Sequence, residues 1–335
     1  MPDERPMPPQ PKTVDHYTIN CDDITKILRA DLCHDRGITG EGIVVGIVDS
    51  GYYDHKFFDI KRTEWEQIHQ TKGWNYPTLA FPPVMHTDGS YKQPDPELDR
   101  SGHGTGMTAN LYAVAPRVSL RVYPVQSFIL SLEAAVTQCQ IISLSKATNV
   151  AGHPTFEQQY RDHLTNAHAA GKIVVHCAGN GNSRPWPITN VPQHLIKVGG
   201  VHRKQDGSLE ASNYARANTG VEQNDICGLC GMQPSGAYIW LPADPNHNAA
   251  EQLAPGWVLA SGTSSATPQV AGVIALMQQA RVQSGLAPLT MEQAKTILRD
   301  TARVVTVGSS FDGVAAAASW CRLVDADAAV TRAAA

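Results

Sequence analysis

Four kinds of side chain, far apart in a chain of 335 residues, have the chemistry to cleave an acyl bond together. Asp49 ends the apolar run "GIVVGIVDS", and His103 lies between glycines in "SGHGTGMTANLYAVAP". Asn180 follows "GKIVVHCAG", and two adjacent serines, Ser264 and Ser265, open "SSATPQVAGVIALM". A serine hydroxyl is a weak nucleophile at neutral pH and needs a base in hydrogen-bond contact. Histidine suits that role because its pKa lies near the working pH. A buried carboxylate selects the right imidazole tautomer and stabilises the imidazolium as it forms. A serine at a helix N-terminus faces unpaired N–H groups and the positive end of the helix dipole, which favour a developing oxyanion. An asparagine amide would be a second donor to that oxyanion, and loss of such a donor typically costs about 3 kcal/mol of transition-state stabilisation.

Each residue alone has an ordinary structural account. An aspartate at a strand end is a turn residue or a cap, a histidine between glycines is a loop residue, and a serine before a helix is an N-cap. Asn-Gly is a common turn dipeptide. Together they have another reading, because all lie where a parallel sheet exposes functional groups, beyond the carboxyl ends of its strands. Residue types alone do not say which of Ser264 and Ser265 reacts.

The elements that must position these groups are legible. Continuous apolar runs predict buried strands over residues 42–50, 118–125, 139–145, 171–179 and 194–201; runs without alternation indicate strands covered on both faces. Helical patterns lie between them, in "SFILSLEAAVTQ" and "TFEQQYRDHLTNAHAAG". Strand–helix–strand repetition predicts an α/β fold with a mainly parallel sheet and right-handed crossovers. Ile24, Ile27, Leu28 and Leu32 recur at helical spacing ahead of Gly37 and predict one further helix. Thr290 and Gln293 form a capping-box pattern at the start of another. Residues 1–20 read as a flexible proline-rich arm, and 21–335 as a single domain with insertions near 54–99 and 215–255.

Composition narrows the function classes. The net charge is −4, from 27 basic and 31 acidic residues, with no long basic run, so nucleic acid is not expected as a partner. No stretch approaches the roughly 20 apolar residues that span a bilayer, and the acidic, proline-rich N-terminus does not resemble a signal peptide. Membrane association is therefore not expected; a cytoplasmic location is, with secretion the alternative if a leader has been removed. The seven cysteines are scattered, and only Cys227 and Cys230, in "CGLC", have redox or metal spacing. A lone pair lacks the other ligands of a structural zinc site, so no metal is expected there; a local disulfide or two free thiols is.

The ordered blocks "GITGEGIVVGIVDSG", "HGTGMTANLYAVAP", "VVHCAGN" and "SGTSSATPQVAGVIALM" resemble those of the subtilisin-like serine proteases, the subtilase family. The resemblance covers nearly the whole chain, down to "LVDADAAV", which is similar to the family's closing helix. It implies a three-layer fold with helices flanking a mainly parallel sheet. It also implies a serine endopeptidase acting on a peptide or protein substrate, without a cofactor. Asp49, His103 and Ser264 then form the triad and Asn180 the oxyanion donor. Ser264 is the nucleophile because it directly follows Gly-Thr, and Ser265 takes a place usually held by methionine. The resemblance assigns Ser143, Leu144 and Ser145 to the edge that pairs with substrate backbone, although Ser145 and Lys146 depart from the usual sequence there. Gly106 stands where a bulkier residue is usual, which suggests room beside His103. The 54–99 insertion, with Trp65, Trp74, Tyr76 and Phe81, suggests cover over the cleft. Some relatives with helical insertions near the cleft are peptide macrocyclases, so precursor processing or transpeptidation is the alternative to general proteolysis. An inactive binding module is a third reading.

Overall fold

The computed structural model describes residues 18–53, 55, 57–58, 78–79, 84–85, 91–92, 99, 101–125, 128–145, 154–180, 192–212, 224–231, 238–243, 256–306 and 320–335. The strands are β1 Val44–Asp49, β2 Thr78–Leu79, β3 Val84–Met85, β4 Tyr91–Lys92, β5 Ser119–Pro124, β6 Ile141–Leu144 and β7 Ile173–Cys177. They continue as β8 Ile196–Arg203, β9 Leu209–Ala211, β10 Ile226–Leu229, β11 Ile239–Pro242, β12 Trp257–Ala260, β13 Arg303–Thr306 and β14 Trp320–Leu323. The helices are α1 Cys21–Ile27, α2 Ala30–His34, α3 His103–Val114, α4 Phe128–Gln138, α5 Pro154–Ala169, α6 Thr263–Gln283, α7 Met291–Thr301 and α8 Ala326–Ala333.

Among these residues a ten-stranded sheet runs β13–β14–β10–β8–β7–β6–β1–β5–β2, with β9 paired to β8. Pairing is parallel from β14 to β2 and antiparallel only at β13 and β9. The chain steps from β1 to β5 in one direction, then crosses back over β1 to β6 and continues to β7 and β8. Winding therefore reverses at β1. The crevice beyond the carboxyl ends of β1 and β6 is a topological switch point, where open α/β sheets place their sites.

Both sheet faces are covered, as the continuous apolar runs require. Val45 and Ile47 of β1, Ile141 of β6 and Val175 of β7 pack into a large core with α3, α6 and α8. Val48, Ile142, Leu144 and Val174 turn the other way, into a second core with Leu132 and Ala135 of α4 and Tyr160 and Leu164 of α5. Helix α6 is buried almost all round, which explains its apolar sequence without a polar stripe. The Thr290–Gln293 capping box closes α7 as expected.

Two expectations are corrected. The single N-terminal helix is two, broken at Arg29, whose φ of 61° is left-handed. Ion pairs of Arg29 with Asp325 and Asp327, each at 3.0 Å, hold it there, and the break leaves Leu32 39% exposed rather than in the core. The arm expected over residues 1–20 is described only from Thr18, and there it is docked. Ile19 is buried and bonded on both sides to β11 and its approach, through Tyr238 O at 3.0 Å and Trp240 N at 2.9 Å. Of the two readings offered for Cys227 and Cys230, the structure has the second: both are buried free thiols. Three residues of extended chain separate Cα atoms by about 10 Å, beyond the roughly 7 Å limit for a disulfide.

Candidate active site

Asp49 is the last residue of β1 and His103 the first of α3. Their side chains meet, with Asp49 Oδ1 2.6 Å from His103 Nδ1. Asp49 is 2% exposed, while the histidine side chain is 40% exposed and reaches the crevice. An ionised carboxylate only accepts, so the geometry puts the proton on Nδ1 and leaves Nε2 as the basic nitrogen of the neutral ring. Asp49 Oδ1 also accepts from Ser50 N at 2.7 Å. The β1 turn and α3 can approach this closely because Gly104 has no side chain. A Cβ there would lie 2.1 Å from Gly51 O.

A second carboxylate fastens the two elements together. Asp99 is fully buried and accepts from the Ser50 hydroxyl at 2.7 Å, the Ser101 hydroxyl at 3.3 Å, and both the N–H and hydroxyl of Thr105, at 2.8 and 2.7 Å. Ser50 Oγ accepts in turn from Gly104 N at 2.8 Å. Sequence reasoning missed Asp99. Capping rules look for a side chain at the N-cap, which here is Gly102, and Asp99 reaches the first turn of α3 from three residues farther back.

Helix α6 brings the serine in. It is fixed by Gln269, whose amide donates to Asn110 Oδ1 of α3 at 2.8 Å and to Leu229 O of β10 at 2.9 Å, and accepts from Leu229 N at 2.7 Å. Its N-cap, Gly262, has no side chain and a φ of 106°. Asn180, exposed three residues beyond β7, does the capping instead: Oδ1 accepts from Thr263 N at 2.9 Å and Thr263 Oγ1 at 3.1 Å. Those bonds orient the amide so that its Nδ2 donors lie toward Gly262, where a Cβ would come within 2.5 Å of Nδ2. Ser265 N bonds to Gly262 O at 3.1 Å, and among the described residues no acceptor takes the Ser264 N–H. The helix start thus presents a main-chain donor and a side-chain amide near one point.

The two serines are in different environments. Ser264 is half-buried, and its Oγ donates to Ser145 O at 2.6 Å. Ser265 is fully buried, and its Oγ has no partner among the described residues. Unlike Ser264, it has no surface open to solvent.

Two other histidines, His176 and His55, are buried and unsuited to act as the base. Burial pushes His176 down to about 4, against the offsetting bond to the Cys177 carbonyl, and Tyr160 Oη holds its Nε2 at 2.6 Å. Burial likewise lowers His55 to about 4, and its Nδ1 accepts from Phe57 N at 3.0 Å. Among the described residues, no group of three or more His, Cys, Asp or Glu is placed to hold a metal ion, and no helix is long and apolar enough to cross a membrane.

The segment expected to bind substrate divides. Ser145, just past β6, touches Ser264. Ser143 and Leu144 do not reach the crevice: both are fully buried. Their backbones lie between β1 and β7, paired with Ile47 and Val48 on one side and Val175 and His176 on the other. A central strand has no free edge for another strand to join, so the assignment of Ser143 and Leu144 to a substrate edge is corrected. The room expected at Gly106 is filled by Leu241, whose Cδ1 would lie 2.9 Å from a Cβ there. Lys146, Trp65, Trp74, Tyr76 and Phe81 lie outside the described residues.

The model of the subtilase family matches residues 40–317, most of the chain. Among solved structures, a lanthipeptide protease is similar over 93% of this chain and 97% of its own, at 19% identity and a TM-score of 0.58. The prenylagaramide maturation protease PagA is similar over 91% of this chain and 98% of its own, at 16% identity and a TM-score of 0.60. At such identities the two likenesses establish the fold.

Proposed function

This chain belongs to the subtilase family of serine peptidases, and from that premise we propose that it is an endopeptidase that cleaves precursor peptides through an acyl-enzyme on Ser264. The observation that carries the proposal is the 2.6 Å bond between Asp49 and His103, at the switch point where α6 also begins. In this reading Ser264 Oγ turns from the Ser145 carbonyl toward His103 Nε2 and attacks the peptide carbonyl while the imidazole takes its proton. Asp49 keeps the ring in the Nδ1–H tautomer and stabilises the imidazolium. The Ser264 N–H and Asn180 Nδ2 receive the oxyanion. His103 then protonates the leaving amine, and a water, deprotonated by the same ring, releases the acid.

The precursor-peptide class is supported by the two solved structures, both proteases and one a maturation protease, each matched along nearly its whole length. The test has two parts. A fluorophosphonate probe should label the folded protein at Ser264 and leave Ser264→Ala unlabelled; folded protein that takes no label would be a binding module. Mass spectrometry of products from leader-bearing precursor peptides should then show one cut with the mass of one added water. Products lacking that water would be cyclic or ligated and would replace hydrolysis by transpeptidation.

A further inference from the structure

Ser264 and Ser145, 119 residues apart, are bonded twice. Ser264 Oγ donates to Ser145 O at 2.6 Å, and Ser145 Oγ donates back to Ser264 O at 2.9 Å. The second bond answers a defect in α6. In a regular helix the carbonyl of residue 264 would accept from the main-chain N–H of residue 268. That residue is Pro268, inside α6, and proline has no N–H. The Ser264 carbonyl therefore has no helical donor, in the first turn of the helix, where the backbone is least constrained. The Ser145 hydroxyl supplies the missing donor. Ser145 is itself 2% exposed and rigidly placed, because β6 immediately before it is held between β1 and β7.

We propose that Ser145 is a positioning residue for the nucleophile: its hydroxyl replaces the helical hydrogen bond that Pro268 removes and so fixes the backbone that carries the Ser264 hydroxyl and N–H. The inference rests on Ser264 being the nucleophile. Holding that carbonyl fixes ψ of Ser264 and the direction of its Cα–Cβ bond. Reactivity is sensitive to this, because displacement of a reacting group by about 1 Å can cost on the order of 100-fold in rate. The proline and the serine belong together: one removes a donor, and the other returns it from a different element, tying the start of α6 to the end of β6.

The test is a cycle of variants, Ser145→Ala, Pro268→Ala and the two combined, read by steady-state kinetics on a cleaved peptide and by fluorophosphonate labelling rate. Thermal melts confirm that each is folded. In the Pro268 protein, Ser145→Ala should lower kcat and labelling rate about tenfold or more, the effect of stranding a part-buried acceptor, with little change in KM. In the Pro268→Ala background, where residue 268 regains an N–H, Ser145→Ala should cost less than about threefold, the scale of one ordinary hydrogen bond. Equal losses in the two backgrounds would overturn the proposal, as would a loss confined to KM. Absence of labelling at Ser264 in the unaltered protein would instead sink the assignment of the nucleophile, a distinguishable failure.

Discussion

Asp49 Oδ1 and His103 Nδ1 lie 2.6 Å apart, joining the end of β1 to the beginning of α3 across 54 positions of sequence. The carboxylate is shielded from solvent and the ring is not, so the pair has one anchored end and one working end. Exchanging the carboxylate for an amide keeps the shape and reverses the hydrogen-bond preference. Asp49→Asn should therefore lower kcat by about 10⁴-fold, the magnitude of the same exchange in one well-studied triad protease. The melting temperature should barely move. Kinetics and a thermal melt on one preparation check this; a loss below about tenfold would mark the pair as structural.

The adjacent serines should behave oppositely. Ser264→Ala should abolish fluorophosphonate labelling. Ser265→Ala should keep it and stabilise the fold by about 1 kcal/mol, because it removes a buried hydroxyl with no partner among the described residues. Urea unfolding with an unchanged m-value, together with intact-mass labelling, reads both effects.

Asp99 is expected to matter for stability and rate together. Asp99→Ala strands the Thr105 N–H and three hydroxyls that now donate to the carboxylate. The cost should be on the order of 3 kcal/mol, the range for buried donors left unpaired. Because those donors sit on both sides of the Asp49–His103 contact, kcat should fall in the folded fraction as well. Denaturant titration followed by kinetics under fully folding conditions separates the two effects.

Acid should destabilise the protein well before its carboxylates titrate. His55 and His176 are held near 4 by burial, against an ordinary value of 6.5. Their folded-state pKa is depressed, so between pH 6.5 and 4 the unfolded chain binds more protons than the folded one. Stability is then full above about pH 6.5 and is lost as pH falls toward 4, on the order of 3 kcal/mol for each histidine. Melting temperature measured across that window should drop, and in His176→Gln the slope should be shallower by one proton. An equal slope in that variant would show that His176 is not buried neutral.

The strands at 44–49, 141–144 and 173–177 were legible because their apolar runs are continuous, the pattern that two-sided burial imposes. The break at Arg29 was not. Helical periodicity runs straight through it, and what holds the left-handed backbone is a pair of carboxylates, Asp325 and Asp327, near the other end of the chain. The apolar pattern at 139–145 predicts a buried strand, which holds; the assignment of Ser143 and Leu144 to a substrate edge comes instead from the resemblance, and the pairing of their backbones with β1 and β7 is a tertiary fact that no motif carries.

The sequence by itself determined the residue types of the site, their order along the chain, and their attachment to strand ends and helix starts. Local patterns encode these, because a strand end and a helix start are properties of a few neighbouring residues. Tertiary structure alone decided that Asp99 clasps the turn after β1 to α3, that Ser265 is fully buried with no partner for its hydroxyl among the described residues, and that Asn180 caps a helix 83 residues away. It alone paired Ser145 with the carbonyl that Pro268 leaves without a donor. Hydrogen bonds of this kind join groups whose separation in sequence is unrelated to their separation in space, so no spacing in the chain announces them.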